Sequence, residues 1–241
     1  MTHTSSSSSA RSHQHTHRIA SVGFINAKPL IWGLERERDV ALRLDVPSRL
    51  LGLVEAGQCD VGLLPVIDYQ KRGGLLVVPA GGIGCDGHTL TVRLFAQRPI
   101  DQITTLACDP DSHTSVALAR IILAKRYGVR PTLIDLAQAT GAPDEARLLI
   151  GDKVVCEEPV GFDVQLDLGH AWKELTGLPF VFAVWMARRD VPLGDLPERL
   201  ARAREQEPDR AVVDVAPPGF DGDDPGGRVR AMPALRERPI V

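Results

Sequence analysis

Residues 42–64, LRLDVPSRLLGLVEAGQCDVGLL, contain a strand, a helix and a second strand in one short run. Apolar and polar residues alternate over residues 42–46, which is the period of a half-buried strand. Pro47-Ser48 then opens a helix with one apolar face, and Gly57 ends it. The apolar residues 61–64 predict a short buried strand. This stretch therefore forms a β-α-β unit, the building block of a parallel sheet.

The same alternation extends in both directions from this unit. Residues 19–25 form an apolar strand that leads into a short helix, and another strand is predicted at residues 75–78. A second set of strands and helices begins after Phe95, with its longest helix at residues 114–127. The strongest strand pattern of the chain lies at residues 180–187. Two such sets predict an α/β fold of two lobes with mainly parallel sheets, joined by two crossings and able to close on a ligand.

The pattern also predicts the domain boundaries. The first lobe is expected to comprise residues 18–95 plus 186–206, and the second lobe residues 96–185. Residues 1–17 are rich in Ser, Thr and His, so we expect a disordered tail. Residues 207–241 are rich in Pro, Gly, Asp and Arg without periodicity, and we expect this tail to be poorly ordered.

Composition excludes several classes of function. The 241 residues carry a net charge of −3 and only 5% aromatic residues, which disfavours nucleic-acid binding. The apolar runs are too short to span a membrane, and the N-terminal residues lack the apolar core of a secretory signal. The four cysteines form no CxxC pair, so we expect free thiols and a cytoplasmic protein. The sequence does not determine the oligomeric state.

Gly82-Ile83-Gly84-Cys85-Asp86-Gly87 matches the GxGxxG pattern of dinucleotide-binding proteins. In those proteins the glycines open a helix, whereas here they precede the strand-like residues 89–95. We therefore reject a nucleotide site and expect a flexible loop at the rim of the cleft. His88, His113 and His170 have no companions at metal-ligand spacing, so no metal site is predicted. Acid–base catalysis by His113 stays open.

Hydroxyl side chains stand at two helix starts, Ser48 in one lobe and Ser112, Thr114 and Ser115 in the other. Such residues cap helices by accepting hydrogen bonds from free N–H groups. A helix N-terminus also attracts anions, so two of them facing one cleft would suit a dicarboxylate. Capping and anion binding both explain these residues. The Asn26 amide, after the first strand, is a further group able to donate and accept at the cleft.

Six segments, taken in order, resemble the chorismate dehydratase family of the futalosine route to menaquinone. They are Val22–Leu30, Val46–Leu50, Asp60–Pro65, Ser112–Leu118, Leu149–Asp152 and Trp172–Trp185. The resemblance runs from about Ile19 to Glu205.

The resemblance implies a two-lobed, periplasmic-binding-protein-like fold of type II, and a small-molecule substrate. The family removes water from chorismate, a dicarboxylate, to give 3-[(1-carboxyvinyl)oxy]benzoate, without a metal or other cofactor. It implies that Asn26 and Thr91 are the catalytic residues, with Thr91 standing where the family usually has serine. The residues expected to bind the substrate are Ser48, Arg49, Asp86, Ser112, Thr114, Ser115, Gly151 and Asp152. Asp86 or a carboxylate of the substrate is expected to accept the proton.

Three alternatives remain at this stage. The fold also suits a non-catalytic protein that binds a small anion. The dihydroxynaphthoate synthase of the same pathway shares the fold, but its N-terminal pattern is not found here. Residues 207–241 do not resemble the helices that complete the family's first lobe. The third alternative is therefore a pseudo-enzyme with an altered C-terminus. The main interpretation requires Asn26, Ser48, Thr91 and Ser112 to line one cavity.

Overall fold

The structure is a computed structural model that describes residues 16–139, 146–156, 159–206 and 230–232. The strands are β1 (His17–Ser21), β2 (Val40–Leu44), β3 (Val61–Pro65), β4 (Leu75–Cys85), β5 (Val92–Ala96), β6 (Thr105–Cys108), β7 (Thr132–Asp135), β8 (Ala146–Ile150), β9 (Val164–Asp167), β10 (Phe180–Arg188) and β11 (Arg230–Met232). The α-helices are α1 (Pro47–Glu55), α2 (Val66–Lys71), α3 (His113–Arg126), α4 (Asp152–Cys156), α5 (Leu168–Thr176) and α6 (Leu196–Glu205). Short 3₁₀ helices cover Ile25–Ile31, Leu34–Arg36, Ile100–Gln102 and Leu136–Gln138.

The strands form two mixed sheets with the same internal arrangement. The first sheet has the order β11-β4-β10-β3-β1-β2, and the second has the order β7-β6-β8-β5-β9. In each sheet three parallel strands are followed by an antiparallel strand, β10 in the first sheet and β5 in the second. Beyond it lie two further strands, β4 and β11, in the first sheet and one, β9, in the second. This repetition confirms the two-lobed α/β fold that the sequence predicts. The sheets are mixed rather than mainly parallel, since four of the described strand pairings are parallel and five are antiparallel.

The chain crosses between the lobes just before each of these two antiparallel strands. β5 lies wholly in the second sheet, and β10 lies wholly in the first. The boundaries expected at 95/96 and 185/186 therefore fall inside these strands, and the sheets divide the chain before β5 and before β10. The reason is hydrogen-bond pairing: β5 pairs with β8 and β9, and β10 pairs with β3 and β4.

Both expected tails contribute a strand. β1 begins at His17, which pairs with Val40, one residue earlier than the boundary expected from composition. β11 adds residues 230–232 to the edge of the first sheet, beside β4. Residues 1–15, 207–229 and 233–241, for which we expect disorder, lie outside the described residues. Within the described residues, no helix combines the length and apolarity that a membrane span requires.

Each lobe has its own apolar core, and two aromatic residues contact both. Trp185 is fully buried in the core of the first lobe, and Leu94 is fully buried in that of the second. Phe24 and Phe182 pack against both cores. Apolar rings therefore border the cleft between the lobes.

The glycine-rich run is part of a strand, which corrects the expected flexible loop. Gly82 to Cys85 belong to β4 and pair with β10. A Cβ atom at Gly82 would lie 2.4 Å from the carbonyl oxygen of Ala183. The absence of a side chain thus allows β4 and β10 to approach closely. The close approach of the strands explains the glycine without a nucleotide site.

Replacing Gly82 with alanine is expected to destabilise the protein by about 2 kcal/mol, because the new methyl group would contact backbone that cannot move away. Urea unfolding measures this change. Gly52→Ala is the matched control, since a Cβ at Gly52 in α1 meets nothing within 4 Å and alanine favours a helix. Equal stability of the two variants would contradict the close approach of the strands.

Candidate functional site

A cavity of about 640 Å³, including its open mouth, lies between the two lobes. Apolar side chains form most of its wall, namely Val22, Phe24, Leu63, Ile83, Ile150 and Phe182. The polar side chains that line it are Asn26, Thr89, Thr91, Ser112, His113, Thr114 and Ser115. No Lys or Arg is among the described residues of the lining.

Asn26 presents an unpaired acceptor to this cavity. It lies in the 3₁₀ helix that follows β1, directly before the buried residue Ala27. Its amide oxygen is buried and has no hydrogen-bond partner among the described residues. A buried acceptor of this kind costs free energy unless a donor reaches it. A hydroxyl group of a ligand is such a donor.

Thr91 is held in a strained turn on the opposite side of the site. Its N–H donates to the carbonyl oxygen of Thr89 at 2.7 Å, which encloses Leu90 at a φ of +60°. This is a tight γ-turn, and positive φ is unfavourable for leucine. Such strain persists only where the surroundings enforce it.

The Asp167 carboxylate enforces that turn. It accepts hydrogen bonds from the N–H groups of Thr89 and Leu90 at 2.9–3.1 Å. It also caps α5 by accepting from Gly169 and His170 at 3.0 Å. Burial alone raises the pKa of Asp167, but His88 and the backbone N–H groups outweigh it, so the pKa lies below its ordinary value. Asp167 is therefore ionised, and its hydrogen bonds connect the start of α5 to the turn before Thr91.

The first turn of α3 supplies hydrogen-bond donors to the second lobe's side of the cavity. Ser112 caps the helix by accepting from the N–H of Ser115 at 3.3 Å, and Thr114 donates to the carbonyl oxygen of Phe182 at 3.1 Å. The N–H groups of His113 and Thr114 make no hydrogen bond with the described residues. Free N–H groups and the helix dipole together favour an anion here. Capping and anion binding, the two explanations of the sequence pattern, are thus compatible at α3.

Gly151 closes the cavity where β8 ends. Its N–H donates to the carbonyl oxygen of Thr91 at 2.8 Å, and its φ of +64° lies in the left-handed region. A Cβ here would lie 3.1 Å from the ring of Phe24. The neighbouring Asp152 accepts from the N–H of Ile25 at 3.3 Å, which links the two lobes outside the lining.

Gly151→Ala is expected to lower kcat/KM about 10-fold, because the methyl group would push the Phe24 ring into the cavity. Gly161→Ala is the matched control: its φ of +87° imposes similar backbone strain, but a Cβ there meets nothing within 4 Å. Steady-state kinetics of both variants separate the contact with Phe24 from the strain alone. Equal losses would show that the ring contact has no role.

Three further residues that the sequence suggests for binding are outside the described lining. Ser48 donates to Asp111 at 3.2 Å, and its neighbour Pro47 lines the cavity instead. Arg49 is exposed and lies 3.7 Å from Asp45. Asp86 is 61% exposed and pairs with Lys173 at 2.5 Å. The cavity thus brings together Asn26, Thr91, Ser112, Thr114, Ser115 and Gly151. Of the four residues that the main interpretation requires in one cavity, Asn26, Thr91 and Ser112 line it and Ser48 does not, because its hydroxyl donates to Asp111.

Sequence reasoning missed Asp68 and Asp167. Asp68 is buried on α2 and lies 3.2 Å from the Nδ1 atom of His113. A local signal for Asp167 exists, since an aspartate directly before a helical segment is a typical N-cap. For Asp68, the signal is a charged residue that follows an entirely apolar strand. Neither local signal indicates which residues the aspartate contacts in the folded protein.

The fold and the cavity define the class: a two-lobed α/β protein of the periplasmic-binding-protein-like type II fold, with a cavity between its lobes. A family model described as menaquinone biosynthesis matches residues 17–212. The chain is also 30% identical over 199 residues to the chorismate dehydratase of Thermus thermophilus, a match that covers 68% of this chain and 72% of that protein. The chain belongs to the menaquinone biosynthesis family and is an enzyme of that pathway.

Solved structures agree with the fold. A protein of Archaeoglobus fulgidus superposes with a TM-score of 0.61 at 17% identity, covering 83% of this chain and 80% of that one. YhfZ from Shigella flexneri superposes with a TM-score of 0.54 at 14% identity, covering 80% of this chain and 89% of its own. At these identities the likeness concerns the fold alone.

Proposed function

We propose that the protein is a chorismate dehydratase, a hydro-lyase that converts chorismate to 3-[(1-carboxyvinyl)oxy]benzoate. The observation that carries the proposal is the buried, unpaired amide oxygen of Asn26, in a cavity that also contains the first turn of α3. An acceptor for a hydroxyl and donors for a carboxylate, within one water-excluding cleft, suit a hydroxylated ring acid. The family membership and the Thermus thermophilus relative support the same substrate.

In this proposal the first turn of α3 binds one carboxylate of chorismate. The N–H groups of His113 and Thr114 are free to donate, and the hydroxyl of Ser115 lies on the same turn. The cleft has no described Lys or Arg, so the helix dipole and neutral donors carry the recognition. The carboxylate then fixes the position of the ring.

Asn26 and Thr91 orient the reacting part of the ring. The Asn26 oxygen accepts a hydrogen bond from the ring hydroxyl, and its NH₂ group is a further donor. The Thr91 hydroxyl donates to the carbonyl oxygen of Thr89 at 3.4 Å and keeps its lone pairs to accept from a ligand. Loss of water creates an aromatic ring, so the reaction is downhill and needs positioning and stabilisation of charge rather than a strong driving force. The rings of Phe24 and Phe182 keep water away from the ring during this step.

We further propose that the enzyme works in the cytoplasm. Cys59, Cys85 and Cys108 are buried free thiols. Burial raises the pKa of Cys85 to about 12 and that of Cys108 to about 11, so both stay protonated and unreactive at neutral pH. Unpaired thiols are typical of a reducing compartment.

Incubation of the purified protein with chorismate tests the proposed activity. Mass spectrometry is expected to show a product lighter by one water, and the ultraviolet spectrum that of an aromatic acid. Isothermal titration calorimetry in parallel measures binding of chorismate. Binding without turnover would support the non-catalytic alternatives and contradict the proposal.

A further inference from the structure

The 3₁₀ helix that carries Asn26 begins without a cap of its own. Phe24 precedes this helix and offers no side-chain acceptor to the free N–H groups at its start. The first of these N–H groups, that of Ile25, makes no hydrogen bond with a backbone acceptor among the described residues. The orientation of Asn26, the second residue of the helix, therefore depends on what holds this start.

A carboxylate of the opposite lobe supplies the acceptor. Asp152 follows β8 of the second sheet, and its Oδ1 atom accepts from the N–H of Ile25 at 3.3 Å. Ile25 follows β1 of the first sheet, so this hydrogen bond spans the cleft. Neither residue belongs to the described cavity lining. A ligand in the cavity therefore does not compete for this hydrogen bond.

The residue before Asp152 holds two neighbouring parts of the site. The N–H of Gly151 donates to the carbonyl oxygen of Thr91 at 2.8 Å. Gly151 also packs against the ring of Phe24, since a Cβ added to it would lie 3.1 Å from that ring. Two consecutive residues at the end of β8 thus contact Thr91 on one side of the cleft. On the other side they contact the two residues that precede Asn26.

We propose that Asp152 is a positioning residue of the active site, which fixes Asn26 relative to Thr91 when the lobes close. The inference rests on the proposed dehydration of chorismate. Asp152 acts through the backbone of Ile25 and does not touch the substrate. Because the hydrogen bond spans the cleft, closure brings the Asn26 oxygen into place as it encloses the substrate. Misplacement of a reacting group by about 1 Å lowers a rate by up to about 100-fold.

A purely structural role of Asp152 predicts a different behaviour. Asp152 is also the first residue of α4, where an acidic side chain interacts favourably with the helix dipole. Its removal would then reduce stability without a specific effect on turnover. Asp101 has the equivalent place in the first turn of Ile100–Gln102, where it is exposed and outside the described cavity lining. Asp101→Ala is therefore the matched control.

Kinetics and binding of three variants test the positioning role. We expect Asp152→Ala to lower kcat about 10-fold and to raise the Kd for chorismate less than about 5-fold, since one hydrogen bond contributes modestly to closure. Asp152→Asn keeps an oxygen that accepts from Ile25 and is expected to recover most of the loss. Asp101→Ala is expected to keep kcat. Equal losses of kcat in Asp152→Ala and Asp152→Asn would overturn the inference.

A double-mutant cycle shows whether Asp152 acts through Asn26. In the Asn26→Ala background, Asp152→Ala is expected to lower kcat by less than about 2-fold, because the group that it positions is already absent. Additive losses would overturn the inference and leave the proposed function intact. Should Asp152→Ala fold poorly, Asp152→Ser replaces it, because serine still favours a helix start but is one bond shorter.

Hydrogen exchange provides a readout without substrate. The Ile25 amide, followed by NMR, is expected to exchange at least about 5-fold faster in Asp152→Ala than in the wild type. In Asp101→Ala it is expected to exchange at the wild-type rate. Equal exchange in all three proteins would overturn the contact across the cleft. Absence of chorismate turnover in the wild type would overturn the proposed function, and with it the catalytic part of this inference, even where the difference in exchange is found.

Discussion

Asn26→Ala is expected to lower kcat for chorismate dehydration by about 100- to 1,000-fold, the loss that follows removal of one preorganised hydrogen-bond partner of the reacting group. Asn26 is the only asparagine of the chain, and its amide oxygen is buried in the cavity without a partner. Alanine removes that acceptor and the NH₂ donors without adding volume. The ring hydroxyl then has nothing to orient it for departure.

Kinetics, binding and circular dichroism of Asn26→Ala test this result together. Stability is expected to stay within about 1 kcal/mol of the wild type, because an unsatisfied buried acceptor disappears with the side chain. Gln102→Ala, an exposed amide in the second lobe, is the control and is expected to leave kcat unchanged. Normal turnover in Asn26→Ala would remove Asn26 from the site.

Asp167→Ala is expected to reduce the free energy of unfolding by about 3 kcal/mol. The substitution removes a helix cap, worth about 1 kcal/mol, and leaves the buried N–H groups of Thr89 and Leu90 without an acceptor, which costs about 1–3 kcal/mol. The turn at Leu90 then loses the hydrogen bonds that hold Leu90 at a positive φ. Turnover is expected to fall as well, because Thr91 directly follows that turn.

The loss of folding stability in Asp167→Ala is expected to depend on pH. The pKa of Asp167 in the folded protein lies below its ordinary value of about 3.9. The stabilisation is therefore complete above about pH 5 and disappears as the pH falls through the lower, folded-state pKa. Urea unfolding from pH 7 to pH 3 is expected to show the two proteins converging at the acid end.

A second cap provides the control for Asp167. Asp135 caps the short helix Leu136–Gln138 through one hydrogen bond to Ala137, at 2.8 Å on the surface. Asp135→Ala is expected to cost less than about 1 kcal/mol. A loss of stability in Asp135→Ala as large as that in Asp167→Ala would contradict the stabilising role of the hydrogen bonds from Thr89 and Leu90 to Asp167.

The sequence by itself determined the elements and the family. Alternating strand and helix periods, Pro47 at the start of α1 and the Ser112 cap of α3 are local features, because each depends on residues within one turn or one strand. The ordered segments from Val22 to Trp185 identified the family, and the resemblance predicts Asn26 and Thr91 as catalytic residues. That information requires no knowledge of what the segments contact.

Only the tertiary structure decided which residues face the cavity together. Ser48 and Asp86 look like ligands in the sequence, but Asp111 and Lys173 engage them outside the cavity. The glycine-rich run is a strand because β10, nearly a hundred residues later, pairs with it. Asp68 meets His113 across two lobes, 45 residues apart. Pairing between distant segments depends on how the sheets pack and close, and no local pattern of residues encodes it.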